Sequence, residues 1–333
     1  MKRIAHVVLL GGCAVAATAT LAGCGGPQSA LDPAGRGAEQ IATLFWWLVA
    51  GSAVVWVAVI GMAVYAIRLR PRPHAPRTVK LLIIGGGVAF PTVVLAGYLI
   101  YGLALLPPLL APAPPGALRI EISGEMWWWR VRYLPPGGPA VELANEIRLP
   151  VGRPVELRLT SPDVIHSFWI PALGGKMDMI PGRTTRLRLE PTRTGTFRGV
   201  CAEFCGPSHA LMRFFAVVEE EDAFAEWLAH QARPAARPTA PLALRGQAVF
   251  RANGCGACHA VRGTDAAGVI GPDLTHVGSR LSLGAGVLPT APDAFRQWIG
   301  HTDAVKPGVH MPAYGMLDDA DLRALAAYLD GLR

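Results

Sequence analysis

The chain has 333 residues, 51% of them hydrophobic and 17% charged, with a formal net charge of +7. Soluble domains average about a quarter charged residues, so this deficit, with a mean hydropathy of +0.33, points to membrane segments and excludes disorder. The basicity is not spread over a folded face. Residues 1–116 hold 8 Lys and Arg against 2 acids, 117–230 hold 13 against 14, 231–241 add 2 cations, and 242–333 balance at 8 each. A nucleic-acid footprint concentrates charge on one folded face, so no nucleic-acid partner is expected.

Lys2 and Arg3 precede an apolar run, Ile4 to Leu21, that ends in Leu21-Ala22-Gly23-Cys24. That pattern reads as an export signal over residues 1–23. The ending resembles a bacterial lipobox, which would make Cys24 the lipidated first residue of the mature chain and remove Cys13 with the signal. An ordinary signal, or a first membrane helix with an incidental cysteine, is the plainer reading. Residues 24–40, with Gly25, Gly26, Pro27, Ser29 and Gly35, read as a flexible tether. A transmembrane hairpin is then expected over 41–116. Two uncharged runs, 41–67 and 81–110, each exceed the ~20 residues that cross the hydrocarbon, with spans expected about 41–67 and 81–108. Arg68, Arg70, Arg72, Arg77 and Lys80 lie between them. The positive-inside rule places that loop in the cytoplasm and both long ends outside. Pro91 is tolerable in a packed membrane helix, and the Pro-rich stretch 107–115 ends the hairpin.

Residues 117–230 are a different material. Period-two alternation in 118–122, 155–159 and 185–190, with Pro and Gly between, predicts the short strands of an all-β sandwich. Residues 219–230 read as a short amphipathic helix with Phe224, Trp227 and Leu228 on one side. Residues 231–241, rich in Pro and Ala, read as a linker. Residues 242–333 are helical in texture, with Leu322, Leu325, Ala326 and Leu329 spaced for one face.

Chemistry concentrates in two places. Cys201-Ala-Glu203-Phe-Cys205-Gly-Pro-Ser-His209-Ala-Leu-Met212 packs two thiols, an imidazole and a thioether into one short segment. His166 lies upstream after a strand-like stretch. Thiolate, imidazole and thioether together suit copper: two cysteines can bridge two metals, His166 and His209 can cap the ends, and Met212 can bind weakly. A Cys201–Cys205 disulfide and a zinc site are the alternatives, although Met is a poor zinc ligand. Cys255-Gly-Ala-Cys258-His259 is a C-x-x-C-H sequence, whose thiols bond both haem vinyls while the next His becomes an axial ligand. Zinc there would need another paired set of ligands, and His276, His301 and His310 are scattered.

The copper-type segment resembles the binuclear CuA loop of cytochrome c oxidase subunit II. The stretches Ser161-Pro-Asp163-Val-Ile-His166-Ser-Phe-Trp-Ile-Pro171 and Gly174-Gly-Lys-Met-Asp178-Met-Ile-Pro181-Gly-Arg183 resemble that family as well. The resemblance covers about residues 40–230 and implies a cupredoxin-like fold. It implies that Cys201 and Cys205 bridge two coppers, that His166, His209 and Met212 complete them, and that the Glu203 carbonyl is the last ligand. It also implies Mg2+ at the Glu203 carboxylate on the large-subunit boundary, with Asp163 and Asp178 near it. Trp127, in Gly124-Glu-Met-Trp127-Trp128-Trp129, aligns with the tryptophan where electrons arrive. Alternation places Trp127 and Trp129 on one face and Trp128 on the other. The tail resembles a class I cytochrome c domain: Gly271-Pro272-Asp-Leu274 matches the support of the proximal His259, and Lys306-Pro-Gly-Val-His310-Met311-Pro312 matches the distal loop. Met311 is the expected sixth ligand, Met316 its competitor and His310 the plain alternative. Met/His ligation raises the potential.

Together these imply a subunit II of a proton-translocating haem–copper oxidase of the respiratory chain, in the bacterial inner membrane, with a periplasmic domain. It would pass electrons from a donor such as a cytochrome or a quinol–cytochrome c reductase through haem c and CuA to subunit I, beside subunit III, where O2 is reduced. The catalytic residues would lie in that partner. A CuA-type nitric oxide reductase is the near alternative, and a free-standing membrane-anchored carrier the alternative of another class. One departure stands out. Many members carry a Glu seven residues before the second-span proline, but Ile84 occupies that place and no acid lies between Glu39 and Glu121.

Overall fold

The computed structural model describes residues 24–69, 73–135 and 138–333. The expected signal 1–23 with Cys13, and Arg70 and Arg72 of the expected cytoplasmic loop, lie outside the described residues. Two compact units result: Glu39–Ala111, and the described residues up to Ala38 together with Pro112–Arg333.

The first unit is a helical hairpin. Helix α1 (Arg36–Val64) continues through a π-helical turn to Leu69. Helix α2 (Pro76–Lys80), a π-helical stretch over Leu81–Ala89 and helix α3 (Phe90–Leu110) make the second rod. Both rods are long and apolar enough to cross a membrane. Trp47, Trp56, Val93 and Ile100 are all exposed along them. Water penalises such surface by ~25 cal/mol per Å², whereas lipid matches it. Tyr98 Oη donates to the Trp47 carbonyl (3.2 Å) and ties the rods together.

The second unit opens with ten strands: β1 (Leu118–Glu125), β2 (Trp128–Tyr133), β3 (Val141–Ala144), β4 (Glu146–Pro150), β5 (Val155–Thr160), β6 (His166–Trp169), β7 (Met177–Met179), β8 (Thr185–Leu189), β9 (Gly195–Cys201) and β10 (Arg213–Glu219). They form two sheets, ordered β3-β2-β1-β5-β8 and β4-β10-β9-β6-β7. Alternation decides the layering. Ile120, Ile122, Leu157, Leu159, Leu187 and Leu189 are buried, while Glu121, Arg158 and Arg186 face outward on the same strands. Trp129, Phe168 and Phe214 join the sheets, with ring centroids 4.6–5.5 Å apart; such pairs add to the area they bury. Helix α4 (Glu221–Gln231) presses Phe224 and Trp227 onto Tyr133.

Residues 24–35, expected as a flexible tether, lie instead as a strap along the sandwich. Ala34 is fully buried; its N–H donates to Ala172 O (2.7 Å) and its carbonyl accepts from Thr192 N–H (2.8 Å). The Arg198 N–H donates to Pro27 O (2.9 Å). These backbone hydrogen bonds, with the Asp32–Arg193 ion pair (2.9 Å), hold this segment.

The C-terminal region is helical apart from one small hairpin. Helices α5 (Pro241–Ala252), α6 (Pro292–Gly300), α7 (Thr302–Val305) and α8 (Asp319–Asp330) surround a core of Phe250, Phe295, Leu325 and Tyr328. Strands β11 (Ser282–Leu283) and β12 (Leu288–Pro289) form the hairpin. Residues 231–235 of the expected linker are bonded down: Arg262 donates to Gln231 O (2.7 Å), the Ala235 N–H to Arg262 O (2.9 Å), and His276 Nε2 meets Arg233 O (3.1 Å).

Candidate functional site

Three adjacent strands deliver the copper-type ligands to one end of the sandwich. His166 opens β6, Cys201 ends β9, and Met212 immediately precedes β10. Phe168 pairs with Cys201, and Val200 with Arg213. The Cys201 N–H donates to Met212 O (3.0 Å) and the Ala202 N–H to Ser167 O (2.9 Å), fixing both ends of the intervening loop.

The donor atoms converge. His166, Cys201 and Cys205 form the one His/Cys/Asp/Glu cluster of metal-ligand geometry found among the described residues, with ligand atoms within 4.8 Å of one another. Cys201 Sγ lies 3.8 Å from Cys205 Sγ, 3.8 Å from His166 Nδ1 and 3.2 Å from Glu203 O. Cys205 Sγ lies 3.5 Å from His209 Nδ1 and 3.9 Å from Met212 Sδ. A disulfide needs about 2.05 Å, so the thiols are free. His166 and Met212 are fully buried and both cysteines nearly so. The hydrogen bond with Cys205 is the largest influence holding the Cys201 thiol down, to about 3; burial opposes it and His166 assists. The thiolate is the form that binds metal. Two sulfurs, two imidazoles, a thioether and a carbonyl fit a soft, copper-type centre.

Asp163 has a role the sequence did not disclose. Its Oδ1 lies 2.8 Å from His166 Nε2 and its Oδ2 accepts from Met126 N–H (2.7 Å). With Nε2–H donated to the carboxylate, Nδ1 faces the sulfurs, which is how outer partners aim a metal-binding imidazole. Burial pulls His166 down, yet Cys201 and Asp163 outweigh it and raise the group overall. The carboxylates of Asp178 and Glu203 flank the Lys176 ammonium, at 2.9 and 3.7 Å.

Trp127 sits in the turn between β1 and β2 rather than on a strand. Trp127 and Trp129 are buried and Trp128 is half-buried, which matches the expected sides. The Trp127 Nε1–H donates to Cys205 O (2.7 Å). Its ring lies between Gly206 and Gly308, both at positive φ, where a Cβ would come within 3.0 and 3.2 Å of the indole. The first glycine belongs to the copper-type loop and the second to the loop that carries Met311.

In the helical region Cys255 and Cys258 bracket a single 3-10 turn, and both thiols are free. His259 Nδ1 lies 2.8 Å from Pro272 O. That contact leaves Nε2 as the open ligand atom. Burial pushes His259 below its ordinary value, the Pro272 carbonyl opposing, and a neutral imidazole is the ligating form. Gly271 lets its loop lie against the ring, since a Cβ there would stand 2.5 Å from it. The thiols and this imidazole fit a covalently held haem. Met311 packs on the helical core, whereas Met316 is 77% exposed and His310 is exposed. Cys24 is a half-buried free thiol on the strap.

Residues 130–220 match the family model described as cytochrome c oxidase subunit II, periplasmic domain, and 243–333 match cytochrome c. Cytochrome c oxidase subunit 2 of Alkalihalophilus pseudofirmus is 41% identical over 64% of this chain and 61% of its own length. The alternative cytochrome c oxidase subunit 2 of Bradyrhizobium diazoefficiens is 32% identical over 49% of this chain and 67% of its own. The crystal structure of the periplasmic domain of subunit II of cytochrome oxidase from Bradyrhizobium japonicum is 32% identical, with a TM-score of 0.34, over 37% of this chain and 96% of that one. The chain spans roughly three fifths of the length of several such relatives, between 61% and 63%.

Proposed function

The chain belongs to the cytochrome c oxidase subunit II family, and on that premise we propose that it is the electron-input subunit of a haem–copper terminal oxidase. When bound, a covalent haem c and a binuclear copper pair would pass single electrons from an external donor toward a large subunit that reduces O2 to water. The observation that carries this reading is the free thiol pair, 3.8 Å apart, closed in by His166, His209, Met212 and the Glu203 carbonyl.

The residues divide the work. Cys255 and Cys258 would anchor the haem, and His259 and Met311 would hold its iron. Cys201 and Cys205, with His166, His209, Met212 and the Glu203 carbonyl, would hold the coppers. Asp163 holds the His166 ring in one orientation, and the burial of His166, both cysteines and Met212 fixes the remaining donors; both limit rearrangement during transfer. Trp127 is placed to receive electrons for the copper loop through its hydrogen bond to Cys205 O. Magnesium at Glu203 would have to displace the half-exposed Lys176 ammonium, which stands 3.7 Å from that carboxylate.

The hairpin would seat the subunit in a bacterial inner membrane against subunit I, and beside subunit III, with the β-domain and the helical domain in the periplasm. Cys24 would be the lipid attachment. With no acid between Glu39 and Glu121, proton uptake falls to the large subunit.

Gentle purification from native membranes, followed by haem extraction and an O2-uptake assay on the same sample, tests this. Haem a with haem c and O2 consumption is the expected result. Haems b and c with nitric oxide consumed instead would assign the chain to a nitric oxide reductase. Haem c and copper alone, with no large subunit retained, would make it a free-standing carrier.

A further inference from the structure

We propose that Lys306 is a positioning residue that fixes the helical domain on the copper loop, so that the surface around Trp127 takes this chain's own C-terminal domain as its partner and admits no second electron carrier. What the two domains exchange rests on the function proposed above; the docking itself does not.

Lys306 is 1% exposed. Its ammonium donates to Trp127 O (2.6 Å), Leu211 O (2.9 Å) and Gly284 O (2.9 Å). An ammonium has three donors, and each here meets one carbonyl. Two of these belong to the β-domain, one in the turn between β1 and β2 and one inside the ligand loop, and the third to the hairpin of the helical domain. A cation removed from water is tolerated only when its hydrogen bonds are met, so the lysine stays buried only while both domains are in register.

Neighbouring contacts agree. Ser208, between Cys205 and His209, donates to Pro307 O (2.6 Å). The Arg213 N–H, next to Met212, donates to Ala285 O (3.0 Å). Gly308 closes over the Trp127 ring, leaving it 5% exposed. Transient redox encounters are small and weakly held. This contact instead buries a lysine and orders backbone on both sides. Another protein could reach Trp127 only by displacing the helical domain, so an outside donor must deliver its electron to that domain.

The test compares the full-length parent with Lys306→Met by hydrogen exchange over residues 206–213 and 281–287, and by time-resolved absorption. Hydrogen bonds from a charged donor contribute enough for a change of about tenfold or more. Lys306→Met is expected to speed exchange in both segments by at least about tenfold. It should also slow the one-electron step, in which ferrous haem is oxidised and the copper pair reduced, by a similar factor. Reduction of the haem by an added donor, and both absorption spectra, should stay at the parental level, which a general loss of structure would not allow. Should the Met variant fail to fold, Ser208→Ala must move exchange in the same direction. Parental exchange in a folded Lys306→Met protein, or in Ser208→Ala, overturns the proposal. A chain that carries haem but no copper would overturn the oxidase reading, and exchange would still decide the docking.

Discussion

Replacing Trp127 with Phe isolates what holds the copper loop against the helical domain. The substitution removes the Nε1–H donor and leaves the Cys205 carbonyl, 2.7 Å away in a buried site, without a partner. That costs ~1–3 kcal/mol. It also deletes about three ring atoms. The indole atoms that meet Gly206 (Cζ2, Nε1) and Gly308 (Cη2, Cζ3) lie mostly on the outer six-membered ring, which stands farther from Cβ than a Phe ring reaches. The resulting gap costs roughly a further 1–2 kcal/mol. Urea unfolding of the copper-loaded chain, followed by the thiolate-to-copper absorption, should show a loss of about 2–5 kcal/mol. Trp128→Phe is the control. That ring is half-buried under the Arg130 guanidinium at 4.7 Å, a contact worth ~0.5–1 kcal/mol. Equal losses in the two variants would refute the account of Trp127 as the joint between the loops.

Gly246 lies where α5 meets α8, and a Cβ there would stand 1.9 Å from Ala324 O and 2.8 Å from Tyr328 Cβ. Gly246→Ala should destabilise the helical domain by ~1–3 kcal/mol, overpacking outweighing the ~1 kcal/mol helix gain; a stabilised domain in a denaturation experiment would contradict the packing. His276 is held below its ordinary value chiefly by burial, with His230 and Arg262 adding and the Arg333 and Arg233 backbone opposing. The unfolded chain therefore takes up this proton first on acidification. The group's contribution is full above about pH 6.5 and is lost as pH falls below that. Thermal unfolding across pH 5–8 should show this slope in the parent and a shallower one in His276→Gln.

How much of this was legible depends on where the information sits. The residues proposed to hold copper and haem stood out because side-chain identity and short spacing carry that chemistry, and strand alternation predicted which hydrophobics fill the sandwich. The strap was not, because Gly, Pro and Ala look like a loose tether while the bonds at Ala34 and Pro27 are all backbone. Trp127 followed the expected side but not the expected element; a turn holds it. Asp163 read as a boundary acid because nothing local shows that His166 folds back onto it. Lys306 read only as part of a methionine loop. A lysine is ordinarily solvated, and what buries this one comes from residues far away in the chain.

All three acceptors of Lys306 are main-chain carbonyls. Every residue has one, so the lysine is indifferent to which side chain occupies a position such as 211. The demands of the joint are unequal: one position must be lysine, while its counterparts need only keep their backbone path. The lysine's share of the joint is thus written in geometry on one side and in a single amino group on the other, and the Ser208 hydroxyl and the Trp127 ring add the side-chain share.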